Sequence, residues 1–317
     1  MGQAFRLNHH AAVMVQEMVA KADALGVQVL PGLPAQVLDC GVQAPGGYEA
    51  GCRFASVTMG GLGRITLVPW QAGMLTLPGV QVITDQPAVA CLGAQYAGWA
   101  IRNEGFFAMG SGPARALARV EKLYQSLPVS EESGEAVLCL EGRKLPDQGV
   151  LGHIASACGV APDRLAVLIA PTASVVGSVQ VSARVVETAL HKLHELGFDV
   201  AAVRHGWGIA PLSPVAGDDL RAIGRTNDCL LYGGLVHLTV DVPDEVLADL
   251  APRVPASASG DYGRPFYEVY RQYGDFYKID PLLFSPAQVS LVSLRSGRVF
   301  TAGALNPAVL QASFGEG

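Results

Sequence analysis

The sequence predicts a mixed α/β protein of about two domains, and three observations carry that expectation. The chain has 317 residues, against roughly 150 for an average domain. Hydrophobic residues make up 50% and charged residues 16%, enough apolar surface to offset chain entropy, which excludes a largely disordered chain. Short β-rich runs alternate with helical stripes, the pattern of strands interleaved with helices. The 37 glycines and 20 prolines are spread along the chain rather than gathered into a linker, so they punctuate many short elements. A division near residue 165 into an N-terminal domain 1–165 and a C-terminal domain 166–317 follows from composition, and either domain could be discontinuous.

Met14, Met18 and Ala22 recur at four-residue spacing, which predicts a helix over Ala11–Leu25. β-rich runs follow at Val37–Val42, Phe54–Met59, Ile65–Val68 and Val80–Ile83, joined by the turns Pro45-Gly46-Gly47 and Gly60-Gly61-Leu62-Gly63. Pro113 suits a first helical turn and Leu117, Val120, Tyr124 and Leu127 form an apolar stripe, predicting a helix over Pro113–Leu127. Continuous apolar runs at Ala136–Leu140 and Leu165–Ala170 read as buried strands. A long helix is expected over Ser178–Leu196, then strands at Val200–Val203, Leu235–Val240, Val289–Leu294 and Val299–Ala302.

Charge and cysteine usage narrow the partners. With 22 Lys and Arg against 28 Asp and Glu, the chain lacks the clustered positive charge that a nucleic-acid backbone requires. Mean hydropathy is positive, +0.30, yet no stretch approaches the ~20 apolar residues of a membrane-spanning helix. Six cysteines are scattered without a C-x-x-C pair, so they read as reduced, buried, small hydrophobes of a cytoplasmic protein. Arg6, His9, His10 and Glu17 interrupt the segment where a signal peptide needs an apolar stretch, and Arg6 occupies the position where a myristoylation signal needs Ser or Thr.

On the wheel of the Ser178–Leu196 helix, Val179, Val186, Ala189, Leu193 and Leu196 gather on one side. Gln180, Arg184, Glu187 and His191 lie within about 60° of each other on the opposite side. This is either a solvated face with an ordinary Arg-Glu pair or a carboxylate held by a guanidinium at a cleft, where it would stay ionised. His191 and His194 beside Glu187 and Glu195 raise a metal-dependent hydrolase as an alternative, although no standard zinc spacing is present. Gly110-Ser111-Gly112 ahead of Pro113 and Arg115 reads as a tight turn into a helix, or as an anion site at its N-terminus. Tyr262, Phe266, Tyr267, Tyr270, Tyr273, Phe276, Tyr277 and Phe284 crowd one segment with Asp261, Arg264, Glu268, Lys278 and Asp280. Such density stacks a heterocycle, builds a subunit interface or forms a second core.

Several strings are diagnostic together: Pro45-Gly46-Gly47-Tyr48-Glu49-Ala50-Gly51, Cys91-Leu92-Gly93-Ala94-Gln95, Phe107 to Arg115, Ala170-Pro171-Thr172 through Glu187, Thr226-Asn227-Asp228 and Asp261 to Glu268. In this order the chain resembles the methenyltetrahydromethanopterin cyclohydrolase family, from the N-terminal helix to Ser313-Phe314-Gly315. The resemblance implies reversible hydrolysis of the 5,10-methenyl form of a tetrahydromethanopterin-type carrier to its 5-formyl form. It implies two α/β domains with the pterin substrate in a pocket between them, no metal or redox cofactor, and a homotrimer. The family's catalytic Arg and Glu fall on Arg184 and Glu187. For substrate binding, the Gly110, Ser111, Gly112 and Arg115 turn is expected to receive an anionic or polar part of the carrier. One of Glu49, Asp228 or Asp261 is expected to pair with the pterin N–H groups. Some archaeal members carry a lysine after the Leu-Gly-x-Gln string, where this chain has Tyr96. The 17 Arg against five Lys suit a GC-rich bacterium using the carrier in formaldehyde oxidation. A non-catalytic pterin-binding protein is the alternative of a different class.

Overall fold

The computed structural model describes residues 5–127, 129–274 and 278–315. In chain order the helices are α1 (Leu7–Ala20), α2 (Ala22–Leu25), α3 (Tyr48–Thr58), α4 (Ala114–Ala118), α5 (Gln148–Cys158), α6 (Val175–Ser182), α7 (Val185–Glu195), α8 (Asp219–Gly233), α9 (Asp244–Leu250), α10 (Phe266–Tyr273) and α11 (Pro307–Gly315). The strands are β1 (Gln28–Val29), β2 (Gln36–Asp39), β3 (Arg64–Ala72), β4 (Leu75–Thr84), β5 (Trp99–Asn103), β6 (Phe106–Ser111), β7 (Ala136–Glu141), β8 (Leu165–Ala170), β9 (Val203–Pro211), β10 (Leu235–Val240), β11 (Gln288–Ser293) and β12 (Val299–Gly303). The mixed α/β class is as expected. The contacts define two compact units, each built from two stretches: Met1–Gly63 with Val89–Gln180, and Arg64–Ala88 with Val181–Gly317. Residue 165 itself begins β8, inside the first unit.

The first unit holds a six-stranded sheet in the order β1-β2-β8-β7-β6-β5. Strands β2, β8 and β7 run parallel, and every residue of β8 is buried. Alternate side chains feed two cores: Leu138, Leu140, Val167 and Ile169 pack with Leu151 and Ile154 of α5 on one face. Val137, Cys139 and Leu168 pack with Val15 of α1 and Phe54 of α3 on the other. Covering both faces is what allows the parallel strands to be continuously apolar.

The second unit's sheet runs β12-β11-β10-β9-β4-β3 and is antiparallel except for the β10–β11 pair. One of its cores combines Trp70, Tyr232, Phe266, Leu283 and Leu310, with Tyr262, Tyr270, Tyr273 and Phe284 packed against it. The aromatic segment therefore builds a core; Phe276 and Tyr277 lie outside the described residues. All six cysteines are buried and none forms a disulfide. Burial pushes the Cys52 thiol up to about 11 and the Cys158 thiol up to about 12, so neither is a reactive thiolate near neutrality.

Four expectations are corrected. The Phe54–Met59 run forms the end of helix α3 and its C-cap, because Ala50, Phe54 and Val57 recur at helical spacing on the face turned to the core. The helix expected over Pro113–Leu127 stops at Ala118, since Arg119 adopts a left-handed φ of 48°. Its guanidinium then donates to the carbonyls of Tyr124 and Val129. The helix expected over Ser178–Leu196 is two helices, α6 and α7, separated at Ala183 and Arg184. Residues Val200–Ala202 form a 3-10 turn, and β9 starts only at Val203.

Lys192 of α7 is 1% exposed and donates from Nζ to the Leu282 carbonyl. Burial lowers its amine from 10.5 to about 8, partly opposed by Asp280. An amine depressed on folding means that the unfolded chain binds more protons between these two values. Stability from this group is therefore expected to rise with pH from about 8 towards about 10.4. Urea midpoints measured across that window should lose the rise in Lys192→Met, and an unchanged slope in the variant would contradict the assignment.

Candidate active site

The break between α6 and α7 is the place of a buried charge pair. Arg184 occupies the N-cap position of α7 with φ −82° and ψ 6°, and Glu187 follows in the first turn. Arg184 Nη1 lies 3.8 Å from Glu187 Oε2, and the two side chains are only 9% and 5% exposed. These residues do not form a solvated face. Helix α7 lies directly on β9: a Cβ at Gly206 would stand 2.7 Å from Val186 Cγ1, and one at Gly208 2.8 Å from Val185 Cγ1. That close approach presses the first turn into the unit while Ser182 Oγ donates to the Pro211 carbonyl at 2.8 Å. A carboxylate there is favoured by the helix N-terminus and the guanidinium together, two positive fields acting at low exposure.

His191, on the next turn, has Nε2 3.6 Å from Glu195 Oε1. Its imidazole pKa is lowered, chiefly by burial. Among the described residues, no group of three or more His, Cys, Asp or Glu side chains is placed to hold a metal ion.

The other acidic candidates each have a local task. Glu49 is exposed on α3 and accepts from Arg53 Nε at 2.8 Å. Asp228, fully buried in α8, accepts the Phe266 amide at 2.8 Å. With Tyr232, whose hydroxyl donates to the Arg264 carbonyl at 2.6 Å, it fastens the Asp261–Phe266 string to α8. Asp261 accepts from the Tyr273 hydroxyl at 3.1 Å and lies 3.6 Å from Arg264 Nη2.

In the first unit, Gly110, Ser111 and Gly112 are buried beside β7, opposite Leu140 and Cys139, and the Gly112 amide donates to the Ala94 carbonyl. Arg115 is fully buried. Its guanidinium grips Glu121 through Nε at 2.9 Å and Nη2 at 3.0 Å, and Nη1 donates to the carbonyls of Leu92 and Ala94. This arginine thus points inward and clamps the π-helical turn Ala88–Gln95. Tyr96, next in the chain, has its ring centroid 5.3 Å from the same guanidinium. Helix α4 is only five residues long, and the charge of Arg115 is directed at Glu121.

One partly exposed carboxylate has no place in the motif reading. Glu141 ends β7, and its carboxylate accepts from Thr172 Oγ1 and, at 2.9 Å, from Gln180 Nε2. The available signal was a carboxylate terminating a wholly apolar run, before Gly142.

The comparisons with known proteins decide the family. Residues 6–314 match the family model described as Cyclohydrolase (MCH). The chain belongs to the cyclohydrolase (MCH) family. A methenyltetrahydromethanopterin cyclohydrolase of Xanthobacter autotrophicus is 47% identical over 306 residues, 96% of this chain and 91% of the relative. Relatives of the same name are 46% identical in Methanospirillum hungatei, over 89% of each chain, and 44% identical in Methylobacterium organophilum, over 97% of each. The family is one of enzymes, and this member places its Arg184–Glu187 pair in a buried, preorganised turn. No helix among the described residues is long and apolar enough to cross a membrane.

Proposed function

We propose that the chain hydrolyses the 5,10-methenyl derivative of a tetrahydromethanopterin-type carrier to the 5-formyl derivative, reversibly. The observation that carries this reading is the buried Arg184–Glu187 pair at the start of α7, in a chain whose relatives are named for action on methenyltetrahydromethanopterin. The methenyl carbon belongs to an amidinium-like cation and is already electrophilic, so the reaction needs a positioned water and a base rather than a Lewis acid. Glu187 orients the water and takes its proton as oxygen bonds to the carbon. The adduct's hydroxyl then gives up its proton as the bond to N10 breaks and N10 takes up a proton, and the carbonyl so formed remains on N5 as the formyl group; the proton held by Glu187 is released to solvent. Arg184 holds the Glu187 carboxylate and donates toward the developing oxygen. The arrangement has a cost, since a carboxylate stabilised by a guanidinium is a weaker base.

We also propose the homotrimer. Ile83 and Trp207, paired in register on neighbouring strands of the second unit's sheet and each 37% exposed, offer apolar surface of the kind that self-association covers. Mixing the purified chain with methenyltetrahydromethanopterin and following its methenyl absorbance tests the function, with light scattering of the same sample for the assembly. Accelerated loss over buffer, unchanged by a chelator, and the mass of three chains are expected. No acceleration would sink the catalytic reading, and the mass of one chain the trimer.

A further inference from the structure

The geometry points to Glu141 as the carboxylate that receives the adjacent N–H donors of the pterin ring, with Thr172 and Gln180 as positioning residues; this rests on the function proposed above. Strands β2, β8 and β7 are parallel and end together at Asp39, Ala170 and Glu141. The carboxyl edge of such strands is where α/β sheets present ligand-binding groups, because the connections there leave a crevice. Asp39 is consumed at this edge: fully buried, it accepts the amides of Gly41, Val42, Gln43 and Ala44. Glu141 is not consumed. It is partly exposed, no basic side chain among the described residues pairs with it, and its two bonds use one oxygen each. A carboxylate has about four acceptor positions, so one on each oxygen is left.

The support around Glu141 is rigid. Ser174 Oγ accepts the Gly177 amide at 2.9 Å and donates to the Pro171 carbonyl at 2.7 Å, fixing the start of α6. A Cβ at Gly177 would stand 2.2 Å from the Pro171 oxygen, so α6 sits directly on the loop that carries Thr172. Thr172 from the loop and Gln180 from α6 thus hold the carboxylate from two sides. Both remaining lone pairs lie in the carboxylate plane, matched to a planar ligand with two neighbouring donors. A pterin presents N3–H and the 2-amino group in this way, whereas its 2-oxo analogue presents an acceptor at the same place. Glu49, Asp228 and Asp261 lack this combination: Glu49 is held by an exposed arginine, and the other two organise the Asp261–Phe266 string.

The test uses the full chain in two assays. In the methenyl absorbance assay Glu141→Gln should raise KM about 10- to 100-fold with kcat within about threefold, the effect of losing a charge-assisted bidentate contact. Equilibrium binding of 6-methylpterin and of 6-methyllumazine should show a preference for the pterin of about tenfold in the wild type that disappears in Glu141→Gln. Thr172→Val, which keeps the carboxylate and unlocks it, should raise KM by a smaller factor and decides the matter if Glu141→Gln fails to fold. Unchanged KM with a retained pterin preference overturns the proposal while leaving the function intact, as does a loss confined to kcat. Absence of turnover in the wild type overturns the functional reading first.

Discussion

Glu187→Gln is expected to lower turnover by about 10²- to 10⁴-fold, the range for loss of a general base, with the fold intact. The amide keeps the size of the side chain in a site that is 5% exposed, so packing on β9 is preserved. It removes the negative charge that the first turn of α7 and Arg184 are arranged to hold. The cationic substrate also loses an attractive charge, which predicts a rise in KM alongside the larger fall in kcat. Glu187→Asp separates the two effects: it keeps the charge but draws it back by one methylene, so KM should recover more than kcat. Steady-state kinetics with circular dichroism as the folding control decide the point. Turnover close to wild type in a folded Glu187→Gln protein would remove this residue from the mechanism.

Arg115→Met should destabilise the first unit by about 3–5 kcal/mol, the cost of breaking a buried ion pair by removing one partner. The side chain is fully buried, and four hydrogen bonds end on its guanidinium. Without it, the Glu121 carboxylate and the carbonyls of Leu92 and Ala94 lose their donor in a dry environment. Adding Glu121→Leu should recover part of the loss, since removing both charges strands neither. Urea unfolding of the single and double variants tests this, and a loss below about 1 kcal/mol in Arg115→Met would refute the clamp. The expected consequence for catalysis is indirect, through the turn that precedes Tyr96.

These two residues mark where local pattern suffices and where it does not. Arg184 and Glu187 are three positions apart, so their proximity was legible in the sequence. Their burial is not, because helical periodicity describes one continuous helix, whereas the chain breaks at Ala183–Arg184 and α7 lies on Gly206 and Gly208. Arg115 follows a glycine turn and looks like a ligand group. Its direction depends on Arg119 reversing the chain, so that Glu121, six residues on, faces it.

By itself the sequence determined the mixed α/β class, the buried strands β7 and β8, the family strings and the Arg184–Glu187 pair. Each is written in contiguous residues or short spacings, where apolar runs and helical periodicity act directly. Only the tertiary structure decided the division into units, because the β3–β4 hairpin, over a hundred residues ahead of its partner strand in the chain, pairs with β9. It also decided that Glu141 meets Thr172 and Gln180, which come from separate elements. Such contacts follow from the order of strands in a sheet, and that order is set by the closing of long loops rather than by any local preference.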